Sequence, residues 1–227
     1  MNKYKGILLD IDNTLYNYDI THKIAKNKVL EFCINELNLE KDIVENAYEI
    51  GRKKVHIELS ETAASHNRLL YFQKMCEILN INSLDYAFKI YNIYWDTFLE
   101  NMKPFDGIYD FLEKYKNNIC LVTDLTAHIQ YRKIEKLKLN QFIDKVVTSE
   151  EAGREKPHPY MFMLALEKLN LGKHEVCMIG DSFKKDIFGA LNLGIDSIWF
   201  NHENKQEKYN NQNIKEVTIF KEILELI

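Results

Sequence analysis

Cysteines are few in this sequence, and they are too widely spaced to suggest a metal site. The four cysteines are Cys33, Cys76, Cys120 and Cys177. Each occurs alone within an apolar segment, whereas a cysteine metal site needs closely spaced pairs. The pattern therefore indicates reduced, buried thiols in a cytoplasmic protein.

Long apolar runs and an excess of one charge are also missing. No run approaches the ~18 apolar residues that a membrane-spanning helix needs, and the N-terminus shows no signal-peptide pattern. The net charge of -4 gives no reason to expect nucleic acid or an anionic membrane as a partner. A monomer and a homodimer both remain compatible with the sequence.

The sequence does contain enough apolar material for a sizeable core. Hydrophobic residues make up 46% of the 227 residues, which is ordinary for a globular protein. This length fits one large domain, or one domain with a smaller one inserted into it.

The first apolar segment runs directly into two acids. Residues 7–9 are followed by Asp10 and Asp12. A short apolar run is typical of a buried strand in a parallel sheet, and ligands of such sheets bind beyond the carboxyl ends of the strands. Two neighbouring carboxylates repel each other and lose hydration, so a bound divalent cation would stabilise them. This stretch alone also fits two acids that merely cap a turn.

The block from about residue 16 to residue 102 has a helical pattern with no evident strand. Apolar residues at helical spacing predict four helices, near 20–37, 41–58, 64–80 and 84–102. The last helix carries a stripe of large side chains that we expect to be buried, because aromatic residues gain most from burial. The stripe consists of Leu84, Phe88, Tyr91, Trp95, Phe98 and Met102. The block is therefore predicted to be a helical bundle of its own.

From Pro104 onwards, helices and strands alternate, which is typical of a parallel sheet with right-handed crossovers. The predicted strands are 119–123, 145–148, 176–180 and, as the last one, 196–200. The predicted helices lie near 105–116, 127–139, 159–170 and 183–193, the last with a left-handed cap at Gly194. Residues 202–213 are predicted to form a loop, and residues 218–227 a short helix.

The predicted fold class is therefore α/β, with a doubly wound, Rossmann-like parallel sheet and an inserted helical bundle. The catalytic core would consist of residues 1–16 and 103–227, and the bundle of residues 17–102. Two chain crossings would join the bundle to the core, which would suit a cap that opens and closes.

Polar residues stand at or beyond the ends of the predicted strands. Thr123 ends the second strand, Asp181 follows the fourth, and Asp186 comes five residues later. Lys156 lies between the third and fourth strands. Each of these residues alone is ordinarily structural or a surface charge. Together with Asp10 they form a combination suited to phosphate and metal, because lysine and hydroxyl groups bind phosphate and Mg²⁺ prefers a few carboxylates with water.

These residues carry a resemblance to a known family. Four segments between Ile7 and Phe200 resemble the signature motifs of the haloacid dehalogenase-like hydrolase superfamily. They are Asp10-Ile11-Asp12-Asn13-Thr14, Thr123, Lys156-Pro157 and Gly180-Asp181-Ser182…Asp186. The helical insertion resembles the cap of the subfamily that includes phosphoglycolate phosphatases, N-acylneuraminate-9-phosphatase, some nucleotidases and β-phosphoglucomutase. Residues 147–157 are similar to its phosphatase and nucleotidase members.

The resemblance implies a role for each acid. Asp10 would be the nucleophile that forms an aspartyl-phosphate, and Asp12 would be the general acid and then the general base. The carboxylates of Asp10 and Asp181 and the backbone carbonyl of Asp12 would hold Mg²⁺. Asp186 would support this metal site from nearby.

The resemblance places the phosphate at Thr123, at the position after it, and at Lys156. The position after Thr123 carries Asp124, where Asn or Gly is common in the family. An acid there would repel phosphate unless its side chain points away. Asn13 stands where many members have glycine, but asparagine also tolerates turn conformations.

In capped members of this superfamily, the cap recognises the leaving group. Two polar clusters flank the loop between the second and third predicted helices, and basic side chains there would suit a sugar acid, a carboxylate or a second phosphate. Solvated surface charge is the simpler explanation for the lysines. The candidate specificity residues are Arg52, Lys54, His56, His66 and Arg68.

Together these features predict a cytoplasmic, Mg²⁺-dependent phosphatase that acts on a small phosphate ester. The expected substrate is a sugar phosphate, a sugar-acid phosphate or a nucleoside monophosphate. One alternative is a phosphomutase of the same superfamily, and another is a non-catalytic binding relic of the fold, which would not need such a costly charge cluster. True dehalogenases typically lack the second acid of the first motif, which is present here as Asp12.

Overall fold

The structure is a computed structural model that describes residues 3–227. The chain divides into two compact units. The core unit comprises Met1–Asn17 and Lys103–Ile227, and the helical unit comprises Tyr18–Met102.

The helical unit contains four α-helices, as its sequence pattern predicts. They are α1 (Tyr18–Leu37), α2 (Lys41–Glu58), α3 (Arg68–Ile78) and α4 (Ser83–Asn101), with a 3₁₀ turn at Ala63–His66. The predicted third helix is interrupted at Asn67, whose backbone is extended. The Asn67 side chain accepts a hydrogen bond from the amide of Leu69 (2.9 Å), and such a cap starts a new helix.

The buried face of α4 differs from the predicted aromatic stripe. The prediction is right for Trp95 and Phe98, which are buried, and wrong for Leu84 and Phe88, which are 91% and 60% exposed. The buried positions of the helix are Ala87, Ile90, Tyr94, Trp95 and Phe98. Positions three and four apart share one side of a helix. Two overlapping apolar stripes therefore run along α4, and the packing of the helix buries the stripe that contains Ala87.

The core unit is built on a sheet that has six parallel strands in the described part of the chain. The strands are β1 (Gly6–Leu9), β2 (Ile119–Thr123), β3 (Lys145–Thr148), β4 (Val176–Gly180), β5 (Asp196–Phe200) and β6 (Ile214–Val217). Their order in the sheet is β3-β2-β1-β4-β5-β6. This arrangement confirms the predicted doubly wound, Rossmann-like α/β fold.

The central strands are apolar because a parallel sheet is covered on both faces. Every residue of β1, β2 and β4 is buried. Leu8, for example, is in register with Cys120 on one side and Met178 on the other. Burial of one such large apolar side chain contributes about 1.5–3 kcal/mol, so runs of four or five residues are enough to specify these strands.

The described part of the core unit contains six α-helices. Those between β1 and β5 connect parallel strands, whereas no helix separates β5 from β6 and the last helix follows β6. The six helices are α5 (Ile108–Lys114), α6 (Ala127–Lys136), α7 (Ser149–Ala152), α8 (Pro159–Leu169), α9 (Phe188–Leu191) and α10 (Ile223–Leu226). Short 3₁₀ turns occur at Leu139–Gln141 and Phe220–Glu222. The predicted left-handed cap at Gly194 is confirmed by its φ of 77°.

The strand β6 is a feature that the sequence pattern did not reveal. It pairs with β5 at the edge of the sheet, so the prediction that β5 is the last strand is wrong. The two middle residues of β6, Lys215 and Glu216, are exposed, as is common in edge strands. A four-residue strand with two charges, directly after an Asn-rich loop, has no apolar run to mark it.

The strand order reverses next to β1, which lies between β2 and β4. Such a topological switch point is where open α/β sheets bind their ligands. Leu9 is in register with both Leu121 and Ile179. The segments that follow the three central strands therefore leave the sheet at the same edge.

Two expectations from composition can also be compared with the structure. All four cysteines are free and buried, as predicted. Within residues 3–227, none of the helices combines the length and the apolar character that a membrane crossing requires.

Candidate active site

Lys156 lies at the centre of a buried cluster of acceptors. Its ammonium group donates to Oδ1 of Asp10 (2.6 Å), to Oδ1 of Asp186 (2.7 Å) and to the carbonyl of Val122 (2.8 Å). These three acceptors match the three donors of an ammonium group. Although burial favours the neutral amine, Asp10 and Asp186 hold the pKa of Lys156 well above its usual value. The charged lysine is therefore a fixed part of this site.

Asp186 reaches this cluster through a wide helical turn. Residues Phe183–Ile187 form a π-helical turn where the sequence predicts the start of an α-helix. Oδ2 of Asp186 accepts a hydrogen bond from the amide of Ser182 (3.0 Å). A Cβ atom at Gly180 would lie 2.4 Å from the same oxygen, so glycine is what allows the carboxylate to approach the end of β4. π-helical turns occur frequently at functional sites.

Three carboxylates meet beyond β1 and β4. One oxygen from each of Asp10, Asp181 and Asp186 lies within 4.8 Å of the others. Burial and the neighbouring acids raise the pKa of Asp181 to about 8. Burial and the nearby acids Asp186 and Asp12 also raise the pKa of Asp10 to about 7, although Lys156 opposes this shift. The cluster thus holds negative charge that a divalent cation would neutralise, and its oxygen donors suit Mg²⁺.

Thr14 links the two strand ends that carry this charge. Its buried hydroxyl donates to Oδ2 of Asp10 (3.0 Å) and accepts from the amide of Asp181 (3.0 Å). Together with Lys156 on Oδ1, this bond orients both oxygens of Asp10. The preceding residue, Asn13, has a φ of 60°, which confirms that asparagine accommodates the turn.

Asp12 faces a different set of donors. The ammonium nitrogen of Lys133 lies 2.7 and 2.8 Å from its two carboxylate oxygens. Gln130 donates to Oδ2 (3.2 Å), and the hydroxyl of Tyr16 donates to Oδ1. These three donor residues are fully buried. Burial alone would raise the pKa of Asp12, but the charge of Lys133 and the hydrogen bonds outweigh it and lower that pKa.

Gln130 also contacts the predicted phosphate-binding segment. Its side-chain amide donates to Oγ1 of Thr123 (2.8 Å) and to the carbonyl of Asp124 (2.7 Å). Because the Thr123 oxygen is already an acceptor, its hydroxyl hydrogen is directed elsewhere, and it makes a 3.3 Å contact with the Asp124 carbonyl. A phosphoryl oxygen would be a stronger acceptor for that hydrogen.

The carboxylate of Asp124 is turned towards protein donors. Oδ1 accepts from the backbone amide of Lys156 (2.9 Å), and Oδ2 accepts from the ammonium group of Lys185 (2.8 Å). Asp124, the acid at the position where Asn or Gly is common in the family, therefore has a positively charged partner in Lys185. The role of Asp124 in phosphate binding stays a prediction.

The structure brings the predicted core residues together in two linked groups. Lys156 joins Asp10 and Asp186 directly, and Thr14 joins Asp10 to Asp181. The second group is centred on Gln130, which bonds to both Asp12 and Thr123.

The other candidate residues lie in the helical unit. Arg52 and Lys54 occupy the exposed part of α2, and Arg52 is 3.6 Å from Glu49. Nε2 of His56 lies 2.8 Å from the hydroxyl of Tyr71.

The remaining two candidates differ from each other in burial. The ring of His66 lies 4.9 Å from that of His56, and His66 is half-buried. Arg68 is buried at the start of α3. Arg68 is thus the one of the five candidates whose side chain is buried.

Sequence reasoning missed the residues that hold the predicted ones in place. It did not assign a role to Thr14, Gln130, Lys133 or Lys185. A usable signal exists for two of them: Gln130 and Lys133 interrupt the buried face of α6 between Ile129 and Ile134. A lysine on the apolar side of a helix is costly to bury without an acid, and this one lies just after the strand that ends in Thr123.

The fold and the site together define a class of hydrolases that use an aspartate at the end of the central strand of a parallel sheet. The chain belongs to the haloacid dehalogenase-like hydrolase family, whose model matches residues 7–200. This match confirms the resemblance that the four sequence motifs indicate.

Similar proteins include phosphatases and solved structures of the same family. The chain is 36% identical over 201 residues to ribulose-1,5-bisphosphate 5-phosphatase from Halopiger xanaduensis, a match that covers 86% of this chain and 84% of that protein. It is 25% identical over 210 residues to a pyrimidine 5′-nucleotidase from Escherichia coli, with 90% and 89% covered. A magnesium-bound hydrolase structure from Bacillus subtilis shares the fold, with a TM-score of 0.72, 19% identity and 99% of both chains covered. The predicted class of enzyme, a phosphoric monoester hydrolase, is confirmed.

Proposed function

We propose that this chain is a cytoplasmic, Mg²⁺-dependent phosphatase that hydrolyses a small phosphorylated metabolite through an aspartyl-phosphate on Asp10. The substrate would be a sugar phosphate, a sugar-acid phosphate or a nucleoside monophosphate. One observation carries the proposal: the two acids of the first motif have separate cations, Lys156 for Asp10 and Lys133 for Asp12. Each acid is therefore oriented for its own task. The free, buried cysteines support a reducing compartment.

Asp10 would act as the nucleophile. Lys156 and Thr14 each hold one of its carboxylate oxygens, so the group is oriented before substrate arrives. One of these oxygens would bond to phosphorus while the bond from phosphorus to the leaving oxygen breaks. Water would then cleave the aspartyl-phosphate and release inorganic phosphate.

Asp12 would move the protons in both steps. It would donate a proton to the leaving alcohol and later accept one from the attacking water. Lys133, Gln130 and Tyr16 favour its ionised form, which is the form that accepts a proton. The negative charge of an incoming phosphoryl group raises the proton affinity of a nearby carboxylate, and this would supply the protonated form for the first step.

The phosphoryl oxygens would be bound by Thr123 and Lys156. Gln130 and the Asp124 carboxylate support this role, because they fix the Thr123 hydroxyl and the Lys156 backbone. Charge that develops on the phosphoryl group would be offset by the buried lysine.

Mg²⁺ fits the acidic side of the same site. Its ligands would be the carboxylates of Asp10 and Asp181 and the backbone carbonyl of Asp12. Asp186 would support the site, since both of its oxygens already accept hydrogen bonds from the protein. The raised pKa values of Asp10 and Asp181 support a cation at this position. When bound, the ion would counter the negative charge of the phosphate.

We assign the helical unit the role of a cap that recognises the leaving group. In this proposal the catalytic core is residues 1–16 and 103–227, and the cap is residues 17–102. The candidate residues for this recognition are Arg52, Lys54, His56, His66 and Arg68.

The test is phosphate release with and without Mg²⁺ from a panel of phosphorylated sugars, sugar acids and nucleotides. Hydrolysis that depends on Mg²⁺ and disappears in Asp10→Asn supports the proposal. The matched control is Asp144→Asn, because Asp144 is an exposed acid of the core unit. An Asp10→Asn variant that retains the wild-type rate would show that Asp10 is not the nucleophile. An isomerised product without phosphate release would indicate a phosphomutase. The absence of any turnover would indicate a binding protein.

A further inference from the structure

A lysine from the loop that follows β5 lies beside one of the clustered acids. The ammonium nitrogen of Lys205 is 2.6 Å from Oε2 of Glu203 and 3.7 Å from Oδ2 of Asp181. The first distance is that of a close ion pair, whereas the second exceeds hydrogen-bonding distance. Lys205 therefore acts on Asp181 through its charge rather than through a bond that would orient the carboxylate.

The backbone of Lys205 is held in this position by Asn201, the residue that follows β5. The Asn201 side chain accepts a hydrogen bond from the Lys205 amide (2.8 Å) and donates one to the Lys205 carbonyl (3.0 Å). It also donates to Oε1 of Glu216 in β6 (2.6 Å), and Asn201 is buried. Because a buried amide is costly to leave unpaired, these bonds fix the course of the loop at Lys205.

Asp181 is held from the neighbouring strand. Nε1 of the buried Trp199 in β5 donates to the Asp181 carbonyl (2.8 Å), and the Asp181 amide donates to the Thr14 hydroxyl (3.0 Å). Both backbone groups of Asp181 are thus bound, as are both of Lys205. The approach of the two charges is therefore set by the fold of the core unit, while the lysine side chain, which is 48% exposed, stays in contact with water.

The acidic cluster needs this lysine only when no divalent ion is bound. When they are ionised, its three carboxylates carry three negative charges, and Lys156 offsets one of them. The two charges that remain match a divalent cation, so a loaded site requires no further positive charge. Lys205 therefore stabilises the site without the ion and opposes the ion, because like charges repel each other.

We propose that Lys205 is a competing counter-ion of Asp181 that weakens Mg²⁺ binding, and that Glu203 limits this competition by pairing with the lysine. The inference rests on the proposed function, in which Asp181 is a ligand of Mg²⁺. It makes the loop after β5 the element that sets how much free Mg²⁺ the enzyme needs. Two other roles predict different results. A lysine that orients Asp181 would strengthen metal binding, and a purely solvated lysine would leave it unchanged.

The test measures the Kd of Mg²⁺ by isothermal titration calorimetry, on full-length protein freed of metal with EDTA and dialysed. We expect Lys205→Met to lower the Kd by about 5-fold, which is the effect of one charge at about 4 Å in a largely aqueous setting. This difference from wild type should shrink between about 50 mM and about 500 mM KCl, since salt screens exposed charges. Lys208→Met is the matched control, because it removes the same charge from an exposed position of the same loop, and it should leave the Kd unchanged.

Substitution of the glutamate should have the opposite effect. Glu203→Gln leaves the charge of Lys205 without its close partner, so we expect the Kd of Mg²⁺ to rise by about 2- to 3-fold. The double variant Glu203→Gln/Lys205→Met should bind Mg²⁺ like Lys205→Met, because Glu203 acts through the lysine. A Glu203→Gln effect of the same size with and without Lys205 would refute this role of Glu203.

Two further variants separate charge from structure. Lys205→Arg keeps the charge and should bind Mg²⁺ like wild type. Lys205→Gln is a second neutral variant, which decides the question if Lys205→Met does not fold. Thermal melts provide a readout that does not depend on heats of binding: in EDTA the neutral variants should melt below wild type, and at equal subsaturating Mg²⁺ they should gain more stability than wild type does.

The outcomes distinguish this inference from the proposed function. A folded wild-type protein that binds no Mg²⁺ and releases no phosphate from p-nitrophenyl phosphate would overturn the proposed function, and this inference with it. Mg²⁺-dependent hydrolysis with the same Kd in wild type and in the neutral variants would overturn only the role of Lys205. A higher Kd in those variants would overturn it as well, and would show that the lysine orients Asp181 for the metal.

Discussion

The ammonium nitrogen of Lys133 lies 2.7 and 2.8 Å from the two carboxylate oxygens of Asp12. Lys133 belongs to α6, which follows β2, whereas Asp12 follows β1, the neighbouring strand. Lys156, from the segment between α7 and α8, donates to one carboxylate oxygen of Asp10 (2.6 Å). Asp10 is buried and the side chain of Asp12 is 23% exposed. Two acids only two residues apart can therefore both be held at this edge of the sheet, because each has its own cation.

The first prediction concerns this contact. We expect Lys133→Met to lower kcat on p-nitrophenyl phosphate by about 10²-fold with little change in KM, because Asp12 would lose the group that orients it for the proton transfers we propose. Lys136→Met on the exposed side of the same helix should leave kcat unchanged. Steady-state kinetics, with a melting curve to verify folding, measures both. A folded Lys133→Met variant with wild-type kcat would show that Asp12 needs no such support.

Much of this architecture was predictable because its strands are short apolar runs with polar ends. The segments 119–123, 145–148, 176–180 and 196–200 are strands with those bounds. The residues beyond them had to meet at one edge, since parallel strands share their carboxyl ends. The motif acids and Lys156 could be placed for that reason alone.

The rest depends on side-chain directions that sequence spacing does not fix. Phe88 and Ala87 are neighbours in the chain, and only packing determines that Ala87 faces the interior. Lys133 resembles a surface lysine of an amphipathic helix until Asp12 is seen beside it. Asp186 points to Lys156 because of a π-helical turn, which has no sequence signature of its own.

The second prediction follows from the carboxylate cluster without metal. Folding raises the pKa of Asp10 to about 7 and that of Asp181 to about 8, from ordinary values of 3.8. At these two acids the folded protein binds more protons than the unfolded chain in this window, so their contribution to stability is present at the low-pH end of it and is lost as pH rises. We expect the free energy of unfolding in EDTA, measured with urea, to be lower at about pH 8.5 than at about pH 5.5.

Added Mg²⁺ should reverse this loss, and should stabilise the protein more at the higher pH, where the ligands are ionised. Asp181→Asn is the control, because it removes one of the two titrating acids and should flatten the pH dependence in EDTA. A wild-type protein that gains stability between these two pH values, or an Asp181→Asn variant with the wild-type slope, would contradict this explanation.

The third prediction tests the close approach at the end of β4. In Gly180→Ala the new Cβ would lie 2.4 Å from Oδ2 of Asp186, so the carboxylate or the strand must shift. We expect a loss of about 1–3 kcal/mol from overpacking, and a fall in activity because Asp186 would lose its contact with Lys156. Gly172→Ala is the matched control, since its Cβ would meet nothing nearer than Oε2 of Glu175 at 3.4 Å. Thermal melts and phosphate release measure the two effects, and equal behaviour of the two variants would refute the steric argument.

The last prediction concerns Asp124, the acid that stands where Asn or Gly is common in the family. Its Oδ2 lies 2.8 Å from the ammonium group of Lys185, and its side chain is 14% exposed. With Lys185→Met the carboxylate loses this charge partner while it remains next to Thr123, the residue that we propose binds phosphate. We expect the KM for substrate and the inhibition constant of inorganic phosphate both to rise, because like charges repel across a partly buried site.

Removal of the acid should cancel the effect of losing the lysine. Asp124→Asn alone should change phosphate affinity little, since an amide oxygen can still accept from the Lys156 backbone, and the double variant Asp124→Asn/Lys185→Met should bind phosphate like Asp124→Asn. A double-mutant cycle would then give a coupling of about 0.5–3 kcal/mol, and Lys184→Met, at the exposed neighbouring lysine, should give none. Unchanged phosphate affinity in Lys185→Met would mean that the Asp124 charge does not reach the phosphate. Asp124 would then be equivalent to Asn at this position, and its charge would need no compensation by Lys185.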